Sequence, residues 1–196
     1  MNHSKIAPIN SHIPVHPKTL QLIEKVTLVD HTDQLVGEME KMEAHRQGAL
    51  HRAFSIFLFN SHGQLLLQQR AIKKYHSGGL WTNTCCGHPR PGEDTLSAGK
   101  RRLMEETGIN CEMEELFSFV YRHEFDNKLI EYEYDHVLIG FSDQPARPDP
   151  AEIAAVRYIA PEQLATDLDN QPDLYTAWLK VCYNEVLKLF KQKYKA

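Results

Sequence analysis

A helix with a defined start and a defined end is the feature that most constrains the fold. It lies in the segment DTLSAGKRRLMEETG, directly after the loop WTNTCCGHPRPGE. Asp94 or Thr95 can accept hydrogen bonds from the first free amide groups of a helix, and Gly108 stands where a left-handed glycine commonly ends one. The sequence therefore predicts a helix over 94–107 that joins two loops.

The last turn of this helix carries negative charge, which opposes the helix dipole. Glu105 and Glu106 each cost about 0.3–1 kcal/mol at that end of a helix. Arg101 and Arg102 lie one turn earlier, but arginine preceding glutamate by four positions is the weaker orientation for a helical ion pair. Two explanations remain open: a solvated face with arginine–glutamate pairs, or a cation or phosphate-bound metal that compensates the carboxylates.

Apolar runs on both sides of the helix predict a sheet. VTLVD at 26–30 and the following LVGEME indicate one hairpin, and HRAFSIFLFN at 51–60 with LLLQQRA at 65–71 indicates a second, clearer one. The density of Ile, Leu and Phe in the second hairpin predicts burial on both faces. Three further strands are expected after the helix, in ELFSFVYRHEF, LIEYEYDHVLIGF and EIAAVRYIA.

The C-terminal part of the chain has helical patterns. PEQLATDL predicts a short helix, and DLYTAWLKVCYNEVLKLFKQ predicts an amphipathic one. The apolar face of the second is expected to contain Leu174, Trp178, Val181, Val186 and Leu189. Because no repeat or linker divides the chain, we expect an N-terminal arm over 1–25 and one domain over 26–196, an α/β fold with a mixed sheet flanked by helices.

The composition limits the classes of partner and the compartment. Of 196 residues, 42% are apolar and 24% charged, and the net charge of −4 gives no reason to expect nucleic acid or an anionic membrane as a partner. The four cysteines form no recognisable disulfide framework, and the chain has neither a signal-peptide pattern nor the roughly 18 consecutive apolar residues of a membrane span. We expect a cytoplasmic protein that binds a small molecule, as a monomer or a weak homodimer.

Three histidines and two glutamates have a pattern that suits a metal. His45 and His51 bracket the start of a strand, and His88 follows the TNTCCG sequence. Glu131 and Glu133 are two apart on a strand, so both project from one face and repel each other unless a positive charge lies between them. Three imidazoles and two carboxylates suit Mn²⁺, Mg²⁺ or Zn²⁺. An exposed acidic edge strand is the alternative. No partner is apparent for six other histidines: His3, His12, His16, His31, His62 and His76.

The helix and its flanking loops match a known pattern with one departure. From Gly87 the chain resembles the Nudix signature G-x5-E-x7-R-E-U-x-E-E-x-G-U, in which U is bulky and apolar and the glutamates hold divalent metal against a diphosphate. The matching residues are Gly87, Glu93, Arg101, Leu103, Glu105, Glu106, Gly108 and Ile109. Arg102 departs from it, because an acidic residue is expected there. A cation at this position repels metal, so it favours binding of a diphosphate over its hydrolysis.

Further motifs narrow the resemblance. EKMEAH, LHRAFSIFLFN, LLLQQRA, WTNTCCGHP and EYEYD, together with the altered signature, resemble type 1 isopentenyl-diphosphate Δ-isomerases, the isomerase branch of the Nudix superfamily. The resemblance runs from about residue 26 to Trp178. It implies a Nudix fold, with a mixed sheet between helices, an N-terminal extension and a C-terminal helix. It also implies interconversion of isopentenyl and dimethylallyl diphosphate through a tertiary carbocation-like intermediate.

The resemblance implies a role for each matching residue. The ligands of one divalent metal would be His45, His51, His88, Glu131 and Glu133, and Glu106 would help to bind Mg²⁺ carried on the diphosphate. The catalytic residues would be Cys86, Glu133 and Tyr121, with Trp178 near the hydrocarbon. The diphosphate-binding cations would be Lys41, Arg70, Lys74 and Arg102.

The implied reaction explains these residue types. It adds a proton at one carbon and removes another from a neighbouring carbon, which requires an acid and a base on opposite sides of a flat hydrocarbon. Cys86 suits one position because thiols are expected to titrate near neutrality, and Glu133 with Tyr121 suits the other. Which of them donates first is open. The alternatives are a Nudix hydrolase of a nucleoside or other diphosphate, which Arg102 disfavours, and a catalytically inactive binding module.

Overall fold

The structure, a computed structural model, describes residues 24–194. The predicted N-terminal arm therefore lies almost wholly outside the described residues, as do His3, His12 and His16. In chain order the elements are β1 Lys25–Val29, β2 Leu35–Glu40, α1 Lys41–Gln47, β3 His51–Phe59, β4 Leu65–Arg70, β5 Trp81–Thr82, β6 Cys85–Gly87, α2 Thr95–Thr107, β7 Met113–Glu124, β8 Ile130–Phe141, β9 Ile153–Ile159, α3 Pro161–Asn170 and α4 Ala177–Tyr194.

Strand β3 is the centre of a mixed sheet. It runs parallel to β8 from the pair His51 and Glu133 to the pair Phe59 and Phe141, and antiparallel to β6. Its side chains alternate between two cores, as a strand buried on both faces requires. Phe57 and Phe59 pack with α4, and Phe54, Ile56 and Leu58 pack with α2. The predicted mixed sheet between helices is confirmed.

The second predicted hairpin exists only at its turn. Strands β3 and β4 pair antiparallel at Phe59 and Leu65 and then separate. Thr84 lies between them: its hydroxyl accepts from the Leu58 amide at 2.9 Å and donates to the Leu66 carbonyl at 2.6 Å. The loop after β5 thus takes the hydrogen bonds that a continuous hairpin would use.

Helix α2 has the ends that the sequence predicts. Asp94 accepts a hydrogen bond from the Ser97 amide at 2.9 Å, and Gly108 ends the helix with a φ of 68°. The Gly108 amide donates to the Met104 carbonyl at 2.9 Å. The predicted helix over 94–107 is confirmed.

The C-terminal helix forms as predicted, but its predicted apolar face is wrong in part. Leu174 lies in a short 3₁₀ turn before α4 and Val181 faces outwards, with exposed fractions of 48% and 59%. The helix begins only at Ala177, because Thr176 is held to β5 by a bond from its amide to the Trp81 carbonyl at 3.0 Å. The buried face consists of Trp178, Leu179, Cys182, Tyr183, Val186 and Phe190. Of the helices within residues 24–194, none is long and apolar enough to cross a membrane.

Candidate active site

One cavity collects nearly all the predicted site residues. Its wall contains Lys41, Arg70, Lys74, Cys86, His88, Arg102, Glu106, Tyr121, Glu131, Glu133 and Trp178. These residues come from strands β4, β6, β7 and β8, from helices α1, α2 and α4, and from two loops. His45 and His51 are fully buried, and their rings lie 5.6 and 4.9 Å from that of His88.

The register of the sheet brings the histidines and Glu133 together. His51 is the first residue of β3 and pairs with Glu133 of β8. His88 follows β6, which pairs with the other edge of β3. His45 lies on α1, and Gly48 ends this helix in the left-handed region with a φ of 61°, so the chain turns back into β3.

Hydrogen bonds aim the imidazole nitrogens at a common point. The Nδ1 atoms of His45 and His51 lie 2.7 and 2.8 Å from the carbonyls of Lys41 and Ala49, which fixes the proton on Nδ1 and leaves a lone pair on Nε2. Nε2 of His51 lies 3.2 Å from Nε2 of His88, which lies 3.0 Å from Glu133 Oε1. His45 Nε2 is buried and has no hydrogen-bond partner among residues 24–194.

This arrangement fits a divalent cation. One donor atom from each of His45, His51, His88 and Glu133 lies within 4.8 Å of the others. Burial lowers the pKa of His45 to about 4 and that of His88 to about 3, so both rings are neutral at pH 7, as metal ligands must be. With the proton of His51 on Nδ1, His51 Nε2 and Glu133 Oε1 are both acceptors, so the group can hold a metal ion.

Glu131 belongs to a second, adjoining group. It lies with His45 and His76, and its Oε1 is 3.1 Å from Nε2 of His76. The expectation that His76 has no partner is wrong, since its ring also stacks on Phe125 with centroids 4.3 Å apart. His76 comes from the loop between β4 and β5, and no spacing rule relates that loop to β8. The five-residue ligand set that includes Glu131 stays a prediction.

Tyr121 joins the two glutamates. Its hydroxyl lies 2.7 Å from Glu131 Oε2 and 2.9 Å from Glu133 Oε2. Burial and the charge of Glu133 raise the pKa of Glu131 to about 8. A single hydroxyl hydrogen can serve one carboxylate at a time, so the pair needs an added proton or a cation when both are buried.

Cys86 lies in a polar pocket that holds its proton. Its Sγ is 3.2 Å from Asn83 Oδ1 and 3.6 Å from Ser55 Oγ, and Ser55 donates to Asp135 at 2.7 Å. Burial, with the charge of Asp135, raises the pKa of Cys86 to about 12. The expectation that this thiol titrates near neutrality is therefore wrong, and Cys86 is a neutral thiol at pH 7. The other member of the pair, Cys85, is fully buried in the core beneath α2.

The charged residues at the cavity mouth are paired. Lys41 contacts Glu24 at 3.0 Å, and Lys74 contacts Glu152. The guanidinium of Arg70 lies 5.2 Å from the centre of the Trp178 ring.

Arg102 pairs with both carboxylates at the end of helix α2. It contacts Glu105 at 2.6 Å and Glu106 at 2.5 Å. Arg101 holds Glu93 through two hydrogen bonds of 2.8 and 2.7 Å. In this structure the glutamates of the signature are compensated by its arginines. Glu106 is only 4% exposed and, unlike Glu105, lines the cavity.

Comparisons with known proteins define the class of protein. Residues 49–179 match the NUDIX domain family. A solved structure from Deinococcus radiodurans covers 83% of this chain and 98% of its own with a TM-score of 0.70 at 22% identity. A MutT protein from Methanosarcina mazei covers 74% and 96% with a TM-score of 0.60 at 16% identity. The fold and the signature are those of a NUDIX-domain protein.

Closer relatives define the family. An isopentenyl-diphosphate Delta-isomerase 2 from Aromatoleum aromaticum is 49% identical over 164 residues, 84% of this chain and 87% of the relative. An isopentenyl-diphosphate Delta-isomerase from Burkholderia multivorans is 52% identical over 155 residues, 79% and 88% of the two chains. The chain belongs to the isopentenyl-diphosphate Delta-isomerase family, and the resemblance found in its sequence is confirmed.

Proposed function

We propose that this chain interconverts isopentenyl diphosphate and dimethylallyl diphosphate with the help of a divalent metal ion. The observation that carries the proposal is one cavity in which a neutral thiol, a tyrosine shared by two glutamates and a ring of cations converge, next to the histidine group. Relatives that are 49% and 52% identical to this chain are named as this isomerase.

The metal would be held by His45, His51, His88 and Glu133, with Glu131 as the fifth ligand. When bound, it would neutralise the paired carboxylates and fix the orientation of Glu133. Mn²⁺, Mg²⁺ and Zn²⁺ all suit a site of imidazoles and carboxylates. A Mg²⁺ ion carried on the diphosphate would reach Glu106, which faces the cavity beside Arg102.

The diphosphate would bind at the cationic end of the cavity. Lys41, Arg70, Lys74 and Arg102 all line it. An incoming diphosphate offers Lys41, Lys74 and Arg102 stronger acceptors than their present carboxylate partners, since its charge is greater and each arginine can donate two hydrogen bonds. The hydrocarbon end would then lie among Cys86, Tyr121 and Trp178.

Proton transfer follows from the state of each group. Protonation of the double bond generates positive charge at C3, and loss of a proton from the neighbouring carbon forms the new double bond. Cys86 holds its proton at pH 7, so it is one proton carrier. The Glu133 carboxylate, which Tyr121 contacts at 2.9 Å, is the other. The faces of Tyr121 and Trp178 shield the positive charge from water, and a desolvated cation–π contact contributes about 2 kcal/mol.

The hydrolase alternative has weaker support. The Nudix signature has an acidic residue at position 102, where this chain has Arg102, whose guanidinium contacts Glu105 and Glu106 at 2.6 and 2.5 Å. A binding module has no use for a neutral thiol and a tyrosine shared by two glutamates in one cavity.

The quaternary state and the compartment remain proposals. We propose a monomer or weak homodimer in the cytoplasm, acting as a single domain over 26–196 on a small molecule rather than on nucleic acid or a membrane. The net charge of −4 supports the last point.

Phosphorus and proton NMR of the metal-loaded protein with isopentenyl diphosphate tests the function. We expect dimethylallyl diphosphate to appear without inorganic phosphate. Release of phosphate from this substrate or from nucleoside diphosphates, without isomerisation, would support the hydrolase instead.

A further inference from the structure

Asn83 contacts Cys86 and Trp178, two of the three residues among which the hydrocarbon is proposed to lie. It is fully buried in the turn between β5 and β6. Its Nδ2 donates to the carbonyls of Ile56 and Cys85 at 3.1 and 3.0 Å. Two carbonyl acceptors on that side fix the orientation of the amide, because the reversed amide would place oxygen against oxygen.

The amide oxygen therefore points the other way, towards the cavity wall. It accepts from the Trp178 indole Nε1 at 3.1 Å and lies 3.2 Å from Cys86 Sγ. The Thr82 hydroxyl donates to it at 2.8 Å and itself accepts from the Thr176 hydroxyl at 2.9 Å. One oxygen atom thus ties the start of α4, and with it the indole ring, to the cysteine of β6.

We propose that Asn83 is a positioning residue that holds the Cys86 thiol and the Trp178 ring in one arrangement against the substrate. This inference rests on the proposed isomerase function. The Nδ2 atom donates to backbone carbonyls, as the nitrogen of many buried amides does. The Oδ1 half contacts only the side chains of Thr82, Cys86 and Trp178, and all three line the cavity.

The Cys86 thiol has a second possible acceptor, the Ser55 hydroxyl, which would compete with Asn83. The Ser55 hydroxyl donates its hydrogen to Asp135 at 2.7 Å, so towards Cys86 it can only accept, and its distance of 3.6 Å is longer than that of Asn83. Without the amide oxygen the thiol would turn towards Ser55. The indole N–H would lose its acceptor in the same change.

Kinetics of Asn83→Ala, with Thr84→Val as the matched control, test the inference. Thr84 is the next residue and is also buried. Its hydroxyl makes two hydrogen bonds, both with backbone groups of β3 and β4. Misplacement of reacting groups by about 1 Å costs on the order of 100-fold in rate. We expect kcat of Asn83→Ala to fall about 10- to 100-fold with KM within about threefold, because the diphosphate is bound elsewhere. Thr84→Val should lower the melting temperature but keep kcat within about threefold.

A spectroscopic measurement decides the matter even where Asn83→Ala does not fold. The Trp178 indole N–H resonance is the one that persists in Trp81→Phe. Its proton should exchange slowly with solvent, and its chemical shift should change in Cys86→Ala, because the indole and the thiol share one acceptor. Cys111→Ala, at a half-buried cysteine in the other core, should leave it unchanged.

The possible failures are distinguishable. An inactive wild-type protein would contradict the isomerase function itself. An active wild type, with an indole resonance that is indifferent to Cys86→Ala or with equal kcat losses in Asn83→Ala and Thr84→Val, would overturn the role of Asn83 alone.

Discussion

Tyr121→Phe removes one hydroxyl group from the cavity and leaves the ring in place. That hydroxyl contacts Glu131 at 2.7 Å and Glu133 at 2.9 Å, in a site where Tyr121 is 7% exposed. A hydrogen bond to a charged group contributes about 1.5–3 kcal/mol. If the bond to Glu133 strengthens as the proton is transferred, its loss lowers kcat by about 10- to 150-fold, at 1.36 kcal/mol per decade.

The assay is steady-state isomerisation, with KM and melting temperature measured on the same samples. KM should stay within about threefold, because the contacts with the diphosphate are unchanged. Tyr183→Phe is the matched control: this tyrosine is also buried, and its hydroxyl donates to the Pro161 carbonyl at 2.8 Å, away from the cavity. A Tyr121→Phe variant with kcat within twofold of wild type, or no lower than that of Tyr183→Phe, would refute the role of the hydroxyl.

Three further predictions concern the thiol, the metal and the pH dependence of stability. Cys86→Ala should abolish turnover while the melting temperature changes little, and retained turnover would remove its proposed role. Metal analysis of His51→Ala should show depletion by mass spectrometry, whereas the exposed His62→Ala should keep the wild-type content; equal contents would contradict the site. In the folded, metal-free protein the pKa of Glu131 is about 8, whereas in the unfolded chain it is 4.5. Between pH 4.5 and 8 the folded protein therefore holds a proton on Glu131 that the unfolded chain has released. The free energy of unfolding should therefore fall as pH rises within that window. The lowered pKa values of the buried histidines His45 and His88 make stability rise with pH, but only below pH 6.5. Between pH 6.5 and 8 Glu131 should account for at most about 2 kcal/mol of this loss by urea titration. Burial raises the pKa of Asp135 as well, so the fall should be smaller in Glu131→Gln but not absent; an equal slope in that variant would contradict the assignment.

Local signals in the sequence were sufficient for the elements whose ends are set by local chemistry. Helix α2 follows from Asp94 and Gly108, and the central strand β3 from its dense Ile, Leu and Phe content. The predicted apolar face of the C-terminal helix is wrong at Leu174 because the start of the helix depends on a contact distant in sequence. Thr176 bonds to Trp81, and no local pattern signals that bond.

The site was predicted through the motifs rather than through spacing alone. His51 and Glu133 meet because β3 and β8 pair in parallel, which a periodicity cannot reveal. His76, Asn83 and Asp135 were missed for the same reason, since each finds its partner across the sheet or across a loop. The raised pKa of Cys86 also depends on burial by distant segments, so the residue type alone gave the wrong protonation state.

Proton NMR in deuterated water tests the central claim most directly. Metal-loaded protein and isopentenyl diphosphate should give dimethylallyl diphosphate that carries deuterium from solvent, without free phosphate, and Cys86→Ala at the same metal content should give none. Conversion without solvent deuterium, or no conversion by the metal-loaded wild type, would contradict proton transfer through Cys86 and Glu133.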